Sequence, residues 1–487
     1  MFKKILIAVL LVAAGFFAIG TAQAAQIDGL ATVSGPAVPS TLHVFTNPGG
    51  LGDALVYPYY NARGAWNFFR VVNTDTVNGV AAKVRFREGK NSNEILDFYI
   101  CLSAGDQWSA WVIDDGNSAH PATLVWYDND TPTFPDPDGV TTDDATDNMF
   151  KSKDLRYGAT GAASSVTASD TKEGYMEIIA NTSWADVPGA AKVVKTPIQC
   201  GKTVLNPAEY ATLFPTDPYG PNSAHEFVRP ALAEVNNVLA GDATIFNVAA
   251  VGTYAYNATA LGDFTNVGFS GSLGLDSTPR LSDSQDGLPG VNFVLTKAQE
   301  FAPYEIESGL LGGTLIVNTF PTKMLSIQQL NGNGPFNDGA LYNDPSNPRS
   351  VENGGDGRIV SATDRCEDIG IVAWDDAENT PNAPTCDFSP CTPVTTKYQK
   401  CDEVSLFAIG EGKSGLTSTL IQDTLDTAGF DIGWVMEDFT TVAGRSTTFG
   451  TAVTAGLPVI SYELQDIAGG LFSAMLPLQY NTIISAD

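Results

Sequence analysis

The sequence predicts an all-β protein made of antiparallel β-sandwich domains, with long polar loops and about three short helices. The first observation is a period-two alternation of apolar and polar residues, which is typical of half-buried strands. The second is strand density, because four strands with short turns fit within roughly 60 residues, as in β-sandwiches. The third is that the strand–helix–strand spacing of a parallel sheet is missing.

The first 24 residues have the composition of a secretory signal peptide. Lys3 and Lys4 give a positive start, residues 5–20 form an unbroken apolar run, and residues 22–24 (AQA) are a small-x-small cleavage site. We therefore expect an exported protein that is extracellular or on the cell surface, with the periplasm as the second choice. No later segment has the roughly 18–20 continuous apolar residues of a membrane-spanning helix.

Residues 80–87 are the clearest strand. Their alternation places three apolar side chains on one face and three cations on the other: Ala82, Val84, Phe86, and Lys83, Arg85, Arg87. Asn78-Gly79 before this strand predicts a hairpin with residues 66–73. A Ser-Ala-Gly-Asp turn at 103–106 predicts a second pair, residues 95–102 with 107–113.

Later segments repeat this pattern less regularly. Further strands are predicted at residues 174–180, 243–256, 313–320, 369–374, 403–409, 433–436 and 458–464. Helices are predicted at 208–213, 230–240 and 419–428, and long polar surface loops at 128–148, 331–357 and 375–395. We expect two domains after the signal: an N-terminal β-sandwich over 25–200 and a β-rich domain over 201–487, whose loop 366–401 is stapled by disulfides.

The cysteines agree with export. An even number in an oxidising compartment usually means disulfides, and this chain has six: Cys101, Cys200, Cys366, Cys386, Cys391 and Cys401. Six cysteines permit many connectivities, among which locality favours Cys386–Cys391 nested inside Cys366–Cys401, with Cys101–Cys200 as the remainder. A zinc site is the competing interpretation, but the chain has no CxxC pair and no histidine near these positions.

The net negative charge of the chain limits the classes of partner that it can bind. The chain has 26 Lys and Arg against 55 Asp and Glu, a formal net charge of -29. Binding to a phosphate backbone or an anionic lipid surface needs clustered cations, so nucleic acid is not expected as a partner.

Calcium is the cofactor hypothesis, and no organic cofactor is expected. One loop concentrates oxygen ligands of the kind that a hard cation needs: Asp128, Asp130, Asp136, Asp138, Asp143, Asp144 and Asp147. Residues 283–287 (DSQDG) are a smaller version of the same pattern. The spacing is not that of an EF-hand, and such residues are also ordinary turn formers, so a solvated loop is the alternative.

Two further groups have competing interpretations. The basic face formed by Lys83, Arg85 and Arg87 could bind an acidic patch of another copy, whereas Glu94 and Asp97 on a neighbouring strand could neutralise it internally, which we favour. The second group is aromatic and could stack on sugars, although alternating aromatic residues in strands more often belong to the core. Its members are Tyr57, Tyr59, Tyr60, Trp66, Phe68 and Phe69.

Several blocks resemble a functionally uncharacterised family of secreted, envelope-associated proteins of Gram-negative bacteria. They are residues 52–60 (GDALVYPYY), 71–74, 83–92, 96–98 and 102–108, with a second group at 246–248 and 256–261. The resemblance covers about a third of the chain. It implies an exported envelope protein and carries no catalytic residues over to this sequence.

The sequence contains no GxSxG, HExxH or glycine-rich phosphate loop, so the expectation leans against an enzyme. The hypothesis is a secreted structural protein of the cell surface, such as a subunit of a surface layer, sheath or extracellular filament, stabilised by calcium and associating with itself or with surface polysaccharide. One alternative is an adhesin or glycan-binding protein, for which exposed aromatic side chains on one sheet face would be the discriminating sign. A second is an extracellular carbohydrate-active hydrolase, which needs two carboxylates in a cleft.

Overall fold

The computed structural model describes residues 39–127, 131, 133–134, 150–155, 166–185, 235–247, 252–265, 279–306, 312–330, 335–336, 366–376, 380, 396–410, 416–425, 431–442, 445–467 and 472–486. Most of these residues lie in strands and few in helices, which confirms the all-β prediction. The signal segment and loop 128–148, except for residues 131 and 133–134, lie outside the described residues.

The described strands up to residue 262 are, in chain order, β1 (Phe45–Thr46), β2 (Leu51–Gly52), β3 (Ala54–Asn61), β4 (Ala65–Asn73), β5 (Asn78–Glu88), β6 (Glu94–Leu102), β7 (Gln107–Ile113), β8 (Thr123–Tyr127), β9 (Thr133–Phe134), β10 (Phe150–Asp154), β11 (Glu173–Ala185), β12 (Leu239–Asn247), β13 (Gly252–Asn257) and β14 (Thr259–Gly262).

The later strands are β15 (Thr296–Lys297), β16 (Gln299–Glu305), β17 (Gly313–Thr319), β18 (Glu367–Asp375), β19 (Thr396–Lys400), β20 (Val404–Ile409), β21 (Ile421–Leu425), β22 (Ile432–Asp438), β23 (Ser446–Phe449), β24 (Ala452–Ala455), β25 (Leu457–Pro458), β26 (Ile460–Ile467), β27 (Phe472–Pro477), β28 (Gln479–Asn481) and β29 (Ile483–Ala486). The described helices are α1 (Gly287–Leu295) and α2 (Lys323–Leu330), with 3-10 turns at Asp170–Lys172 and Leu281–Asp283.

Four large sheets organise these strands. Sheet A has the order β1-β14-β3-β11-β5-β6-β9, and sheet B has the order β10-β8-β7-β4-β12-β13 with β2 beside β12. Sheet C has the order β21-β20-β17-β26-β27, and sheet D has the order β19-β18-β22-β16-β28. Two small sheets, β15-β25 and β23-β24-β29, complete the described part. The β20–β21 pair is parallel, and the other described pairs are antiparallel.

The large sheets follow one another face to face like propeller blades, in the order B, A, C, D. Phe98 of sheet A packs against Trp108 and Trp126 of sheet B at ring-centroid distances of 5.8 and 6.2 Å. Thr319 Oγ1 of sheet C donates to the carbonyl of Pro58 in sheet A at 2.6 Å. Asn318 of sheet C donates to Glu437 of sheet D at 2.8 Å.

Burial follows from this order. Every residue of β3, β17 and β20 is buried, because sheets A and C have a neighbour on both faces. Strand β4 of sheet B instead alternates between buried and exposed residues, as a strand with one solvent-facing side must. The predicted sandwich architecture is not confirmed, because sheet A packs against both sheets B and C, and sheet C packs against both sheets A and D.

The predicted strand pairings were wrong even where the strands were right. Strands β4 and β7 lie in sheet B, whereas β5 and β6 lie in sheet A. The short connections from β4 to β5 and from β6 to β7 therefore cross between the two sheets. The Asp75 carboxylate accepts hydrogen bonds from the backbone of Val77 and Asn78 and turns the chain there. Phe69 and Phe86 consequently face each other across the core, with ring centroids 5.9 Å apart, which buries both apolar faces.

Two helix predictions were wrong in the described residues. Residues 239–240 begin strand β12, and residues 421–425 form β21, which extends sheet C beside β20. Predicted helix 208–213 lies outside the described residues. Strands β12 and β14 pair with strands of the first 200 residues, so a boundary at residue 200 does not separate the sheets. Neither described helix has the length and apolar character needed to cross a membrane.

Candidate functional site

The outer face of sheet B carries a group of aromatic side chains. The alternation of β4 turns Trp66 and Phe68 away from the core, while Phe69 and Val71 point into it. Strand register brings Trp111 of β7 opposite Phe68, and Phe246 of β12 opposite Trp66. Trp66, Phe68, Trp111 and Phe246 are hereafter called the aromatic face of sheet B.

The rings form one connected patch around Trp111. Its ring centroid lies 4.6 Å from that of Phe68, 5.5 Å from Phe246 and 6.4 Å from Trp66. Trp66 is 49% exposed, and the other three are half-buried. Four aromatic rings on three adjacent strands thus offer a broad apolar surface to solvent.

Polar groups flank this surface. Arg70 donates through Nη2 and Nε to Asp242 Oδ1, at 2.7 and 3.0 Å, and its guanidinium carbon lies 6.0 Å from the ring of Phe68. Two further polar residues lie on the same face: Thr244 is opposite Phe68 in the strand register, and Ser109 is opposite Arg70. The face therefore combines flat rings for stacking with hydrogen-bonding groups at its edge.

A second aromatic patch lies on the outer face of sheet D. Trp374 and Trp434 are opposite each other in register and stack with ring centroids 4.0 Å apart and an interplanar angle of 15°. Phe301 lies 6.2 Å from Trp434, which is 38% exposed. Both outermost sheets in the order B, A, C, D therefore expose tryptophan to solvent.

The predicted aromatic group divides between the core and this surface. Tyr57, Tyr59, Tyr60 and Phe69 are buried, which agrees with the favoured core interpretation, whereas Trp66 and Phe68 belong to the aromatic face. The alternation of residues 66–72 could have identified the exposed pair. Trp111 and Phe246 could not be added from sequence, because only the strand register joins them to Trp66.

The basic face predicted for self-association is buried. Lys83, Arg85 and Arg87 are 1%, 0% and 4% exposed, on the face of sheet A that points away from sheet B. Internal pairing with Glu94 and Asp97, the favoured interpretation, is confirmed. The self-association role is therefore corrected: cations enclosed by the fold cannot meet another copy.

These ions form a cluster that we call the sheet A charge cluster: Lys83, Arg85, Arg87, Glu94, Asp97 and Glu177. Lys83 pairs with Asp97, and Arg85 Nε donates to Glu94 at 2.6 Å. Glu177 lies 3.4 Å from Arg85 Nη1 and 3.2 Å from Arg87 Nε. Burial, with the charge of Glu94 as a second cause, raises the pKa of Asp97 to about 6.

The acidic candidate residues form two groups, of which the structure describes only the smaller one. The seven aspartates from Asp128 to Asp147 lie outside the described residues, so calcium stays a hypothesis. In the smaller acidic segment, Asp283 accepts from the backbone of Arg280, and Asp286 accepts from His43 and Val44. In the described part of the chain, no group of three or more His, Cys, Asp or Glu is arranged to hold a metal.

The cysteine prediction is confirmed for one pair. Cys366 and Cys401 form a disulfide, and Cys101 is also disulfide-bonded. Cys200, Cys386 and Cys391 lie outside the described residues. The turn at 103–106 is also confirmed, since Asp106 N donates to the carbonyl of Ser103 at 3.1 Å and the Ser103 hydroxyl donates to the Asp106 carboxylate.

One pair of carboxylates lies opposite in register, Glu300 of β16 and Glu437 of β22. Both are 1% exposed, between sheets C and D, so a polymer in solvent does not reach them. The hydrolase alternative therefore gains no support from this pair.

No protein-family model, no curated protein and no solved structure matches this chain. The resemblance to exported envelope proteins stays a prediction, and the aromatic face of sheet B is interpreted from its own chemistry.

Proposed function

We propose that this chain is an exported cell-surface protein that binds polysaccharide on the aromatic face of sheet B. The observation that carries the proposal is the connected patch of four rings, with Trp66 49% exposed, on an open sheet face. Exposed aromatic residues on one face were the sign that favours the adhesin or glycan-binding hypothesis. This hypothesis now ranks above the purely structural one.

The geometry suits a sugar polymer. The apolar face of a sugar ring stacks on an aromatic ring, and its hydroxyl groups exchange hydrogen bonds with groups such as Arg70 and Asp242. Residues two apart on a strand are roughly 7 Å apart, and neighbouring strands are about 4.8 Å apart, so the rings offer repeated contacts along an extended ligand. The net charge of -29 favours a neutral polysaccharide over an acidic one.

Pull-down on insoluble neutral polysaccharides, with cellulose, chitin and curdlan as the panel, tests the proposal. Trp66→Ala and Trp111→Ala should each weaken binding about tenfold, because a stacking contact contributes about 1.4 kcal/mol. Trp434→Ala is the matched control, since it removes an exposed tryptophan from the other outer sheet. Wild-type protein that binds none of the panel, or Trp66 and Trp111 variants that bind like wild type, would refute the proposal.

A structural role is the second candidate, favoured by the position of the two aromatic patches. Patches on the terminal sheets B and D allow one copy to pack its sheet B against sheet D of the next, an arrangement that extends without closing. Calcium held in the loop that contains Asp136 and Asp138 would offset the repulsion between acidic copies. Electron microscopy and sedimentation with calcium test this role: Trp66→Ala and Trp434→Ala should both prevent assembly, and a wild-type protein that stays monomeric excludes it.

A further inference from the structure

Sheets C and D enclose a lysine, a glutamate and an asparagine. Lys400 ends β19 of sheet D, Glu437 lies in β22 of the same sheet, and Asn318 lies in β17 of sheet C. Their exposures are 1%, 1% and 0%. The three residues are hereafter called the C–D triad.

The Glu437 carboxylate bridges the other two side chains. Its Oε1 lies 3.3 Å from Lys400 Nζ, and its Oε2 accepts a hydrogen bond of 2.8 Å from Asn318 Nδ2. Asn318 Nδ2 also donates to Ser461 Oγ at 3.0 Å, which fixes the amide plane. An amine and a carboxamide therefore contact the two oxygens of one carboxylate.

The surroundings of the reacting groups are mostly apolar. Lys400 Nζ lies 4.7 Å from the centre of the Phe407 ring and contacts Glu437, and Asn318 Oδ1 has no hydrogen-bond partner among the described residues. Burial lowers the pKa of Lys400, against the opposing charge of Glu437. The neutral, nucleophilic form of the amine is thus more accessible than in water.

The neighbouring ions include a second buried pair, although the charges of Glu300 and Asp423 also act on Lys400. Lys297 Nζ lies 4.0 Å from Glu300 Oε1 and 3.5 Å from the ring centre of Tyr480. Burial raises the pKa of Glu300 to about 8. The Cys366–Cys401 disulfide is adjacent to Lys400, and Lys400 is opposite Glu367 in the register of β18 and β19, so the edge strand that carries the amine is fixed in place.

We propose that Lys400 and Asn318 join in an intramolecular isopeptide bond, and that Glu437 transfers the protons of the reaction. Such a bond would connect sheet D to sheet C through side chains, in addition to the nearby disulfide. It is independent of the polysaccharide-binding proposal, because it involves neither outer face.

The reaction balances with groups in the triad. The neutral Lys400 amine attacks Asn318 Cγ, and a bond forms between Nζ and Cγ. Glu437 accepts a proton from the attacking nitrogen and delivers a proton to Nδ2. The Cγ–Nδ2 bond then breaks and ammonia leaves, so the product is a secondary amide and no oxidant or cofactor is consumed.

Peptide mapping by mass spectrometry tests the proposal on the full-length expressed chain after reduction and denaturation. The wild type should yield a branched peptide that contains Asn318 and Lys400 and weighs one ammonia less than its two parts. Glu437→Gln should lose the branched peptide although neither bonded residue has changed, and Lys400→Arg should lose it because a guanidinium is a poor nucleophile. Asn292→Ala, which removes another buried asparagine with a hydrogen bond to Ser326, should keep it.

Formation of the Cys366–Cys401 disulfide reports folding of each variant near the triad. A variant that forms the disulfide but lacks the branched peptide supports the chemistry. Recovery of the two wild-type peptides as separate species, with no mass loss corresponding to ammonia, overturns the proposal. A branched peptide that persists in Glu437→Gln overturns the role given to Glu437.

Discussion

The arginines of the sheet A charge cluster and the lysine of the C–D triad are both buried, yet they differ in how firmly they hold their charge. Lys83 of sheet A, whose pKa is also lowered by burial, pairs with Asp97. In sheet A, Arg85 and Arg87 share Glu177, and a guanidinium remains charged and holds its carboxylate in a fixed geometry. Between sheets C and D the cation is Lys400, whose amine can lose its proton in an apolar setting. Buried charge thus supports a permanent ion-pair network in one place and favours a reaction in the other.

The largest expected effect is on the sheet A charge cluster. Glu177→Gln leaves Arg85 and Arg87 without a shared carboxylate, and removal of one partner of a buried pair costs about 3–5 kcal/mol. Urea unfolding of the variant should show this loss in the free energy of unfolding. A change below about 1 kcal/mol would mean that the arginines do not depend on Glu177.

The next effect concerns the C–D triad. Asn318→Ala should lower the free energy of unfolding by about 2–4 kcal/mol, because a covalent cross-link restricts the unfolded chain as a disulfide does. The loss should be greater after reduction of Cys366–Cys401. Asn292→Ala is the matched control and should cost about 1 kcal/mol, the contribution of one ordinary hydrogen bond. Equal losses for the two variants would contradict the cross-link.

A third prediction separates the two regions by pH. Burial raises the pKa of Glu463, on the side of sheet C that faces sheet D, from 4.5 to about 8. The folded state therefore holds a proton that the unfolded state has lost between these values. From this residue alone, stability should fall by about 3.5 kcal/mol as pH rises from 5 to 8.

Glu463→Gln should remove this residue's share of the pH dependence and leave the share of Glu300, whose pKa burial also raises to about 8; unfolding curves at several pH values would detect the difference. Glu177→Gln should leave the share of Glu463 in place, because Glu177 lies in sheet A and Glu463 in sheet C. Stability that rises over this range in the wild type would contradict the assignment.

The smallest expected effect is at an exposed pair. Arg70 and Asp242 form an ion pair with side chains 46% and 33% exposed, so Asp242→Asn should change the free energy of unfolding by about 0–1 kcal/mol. Compared with Glu177→Gln, this variant measures what burial adds to an ion pair. If Asp242→Asn lowered the free energy of unfolding as much as Glu177→Gln, burial would not account for the strength of the sheet A ion pairs.

Alternation along the chain predicted the strands between residues 66 and 113 and several later ones, but neither of the two predicted pairings is present. Residues 80–87 were identified, together with the face that carries Lys83 and Arg85, because side-chain direction in a strand is local. Their pairing with β11 and β6 was not predicted, since Asp75 turns the chain into another sheet where Asn78-Gly79 indicated a hairpin.

The candidate sites depended on residues distant in sequence. Phe246 reaches Trp66 only through the register of β12 and β4. Glu437, Lys400 and Asn318 carry no local signal, since each is one polar residue in a strand and the three meet only when sheets C and D pack. The Cys366–Cys401 disulfide, whose cysteines are 35 residues apart, was predictable because locality groups the last four cysteines, with Cys386 and Cys391 as the inner pair.

The interleaved strand order has a consequence for how the chain folds. Strand β3 lies between β14 and β11, and β4 lies between β7 and β12, so the first strands gain their final neighbours only from residues 173–262. Sheet A gains cover for its second face later still, first from residues near Pro279 and then from sheet C after residue 313. A chain made from its amino terminus keeps β3 without its strand partners until β11 and then β14 have been made, and such non-local contacts make folding slow.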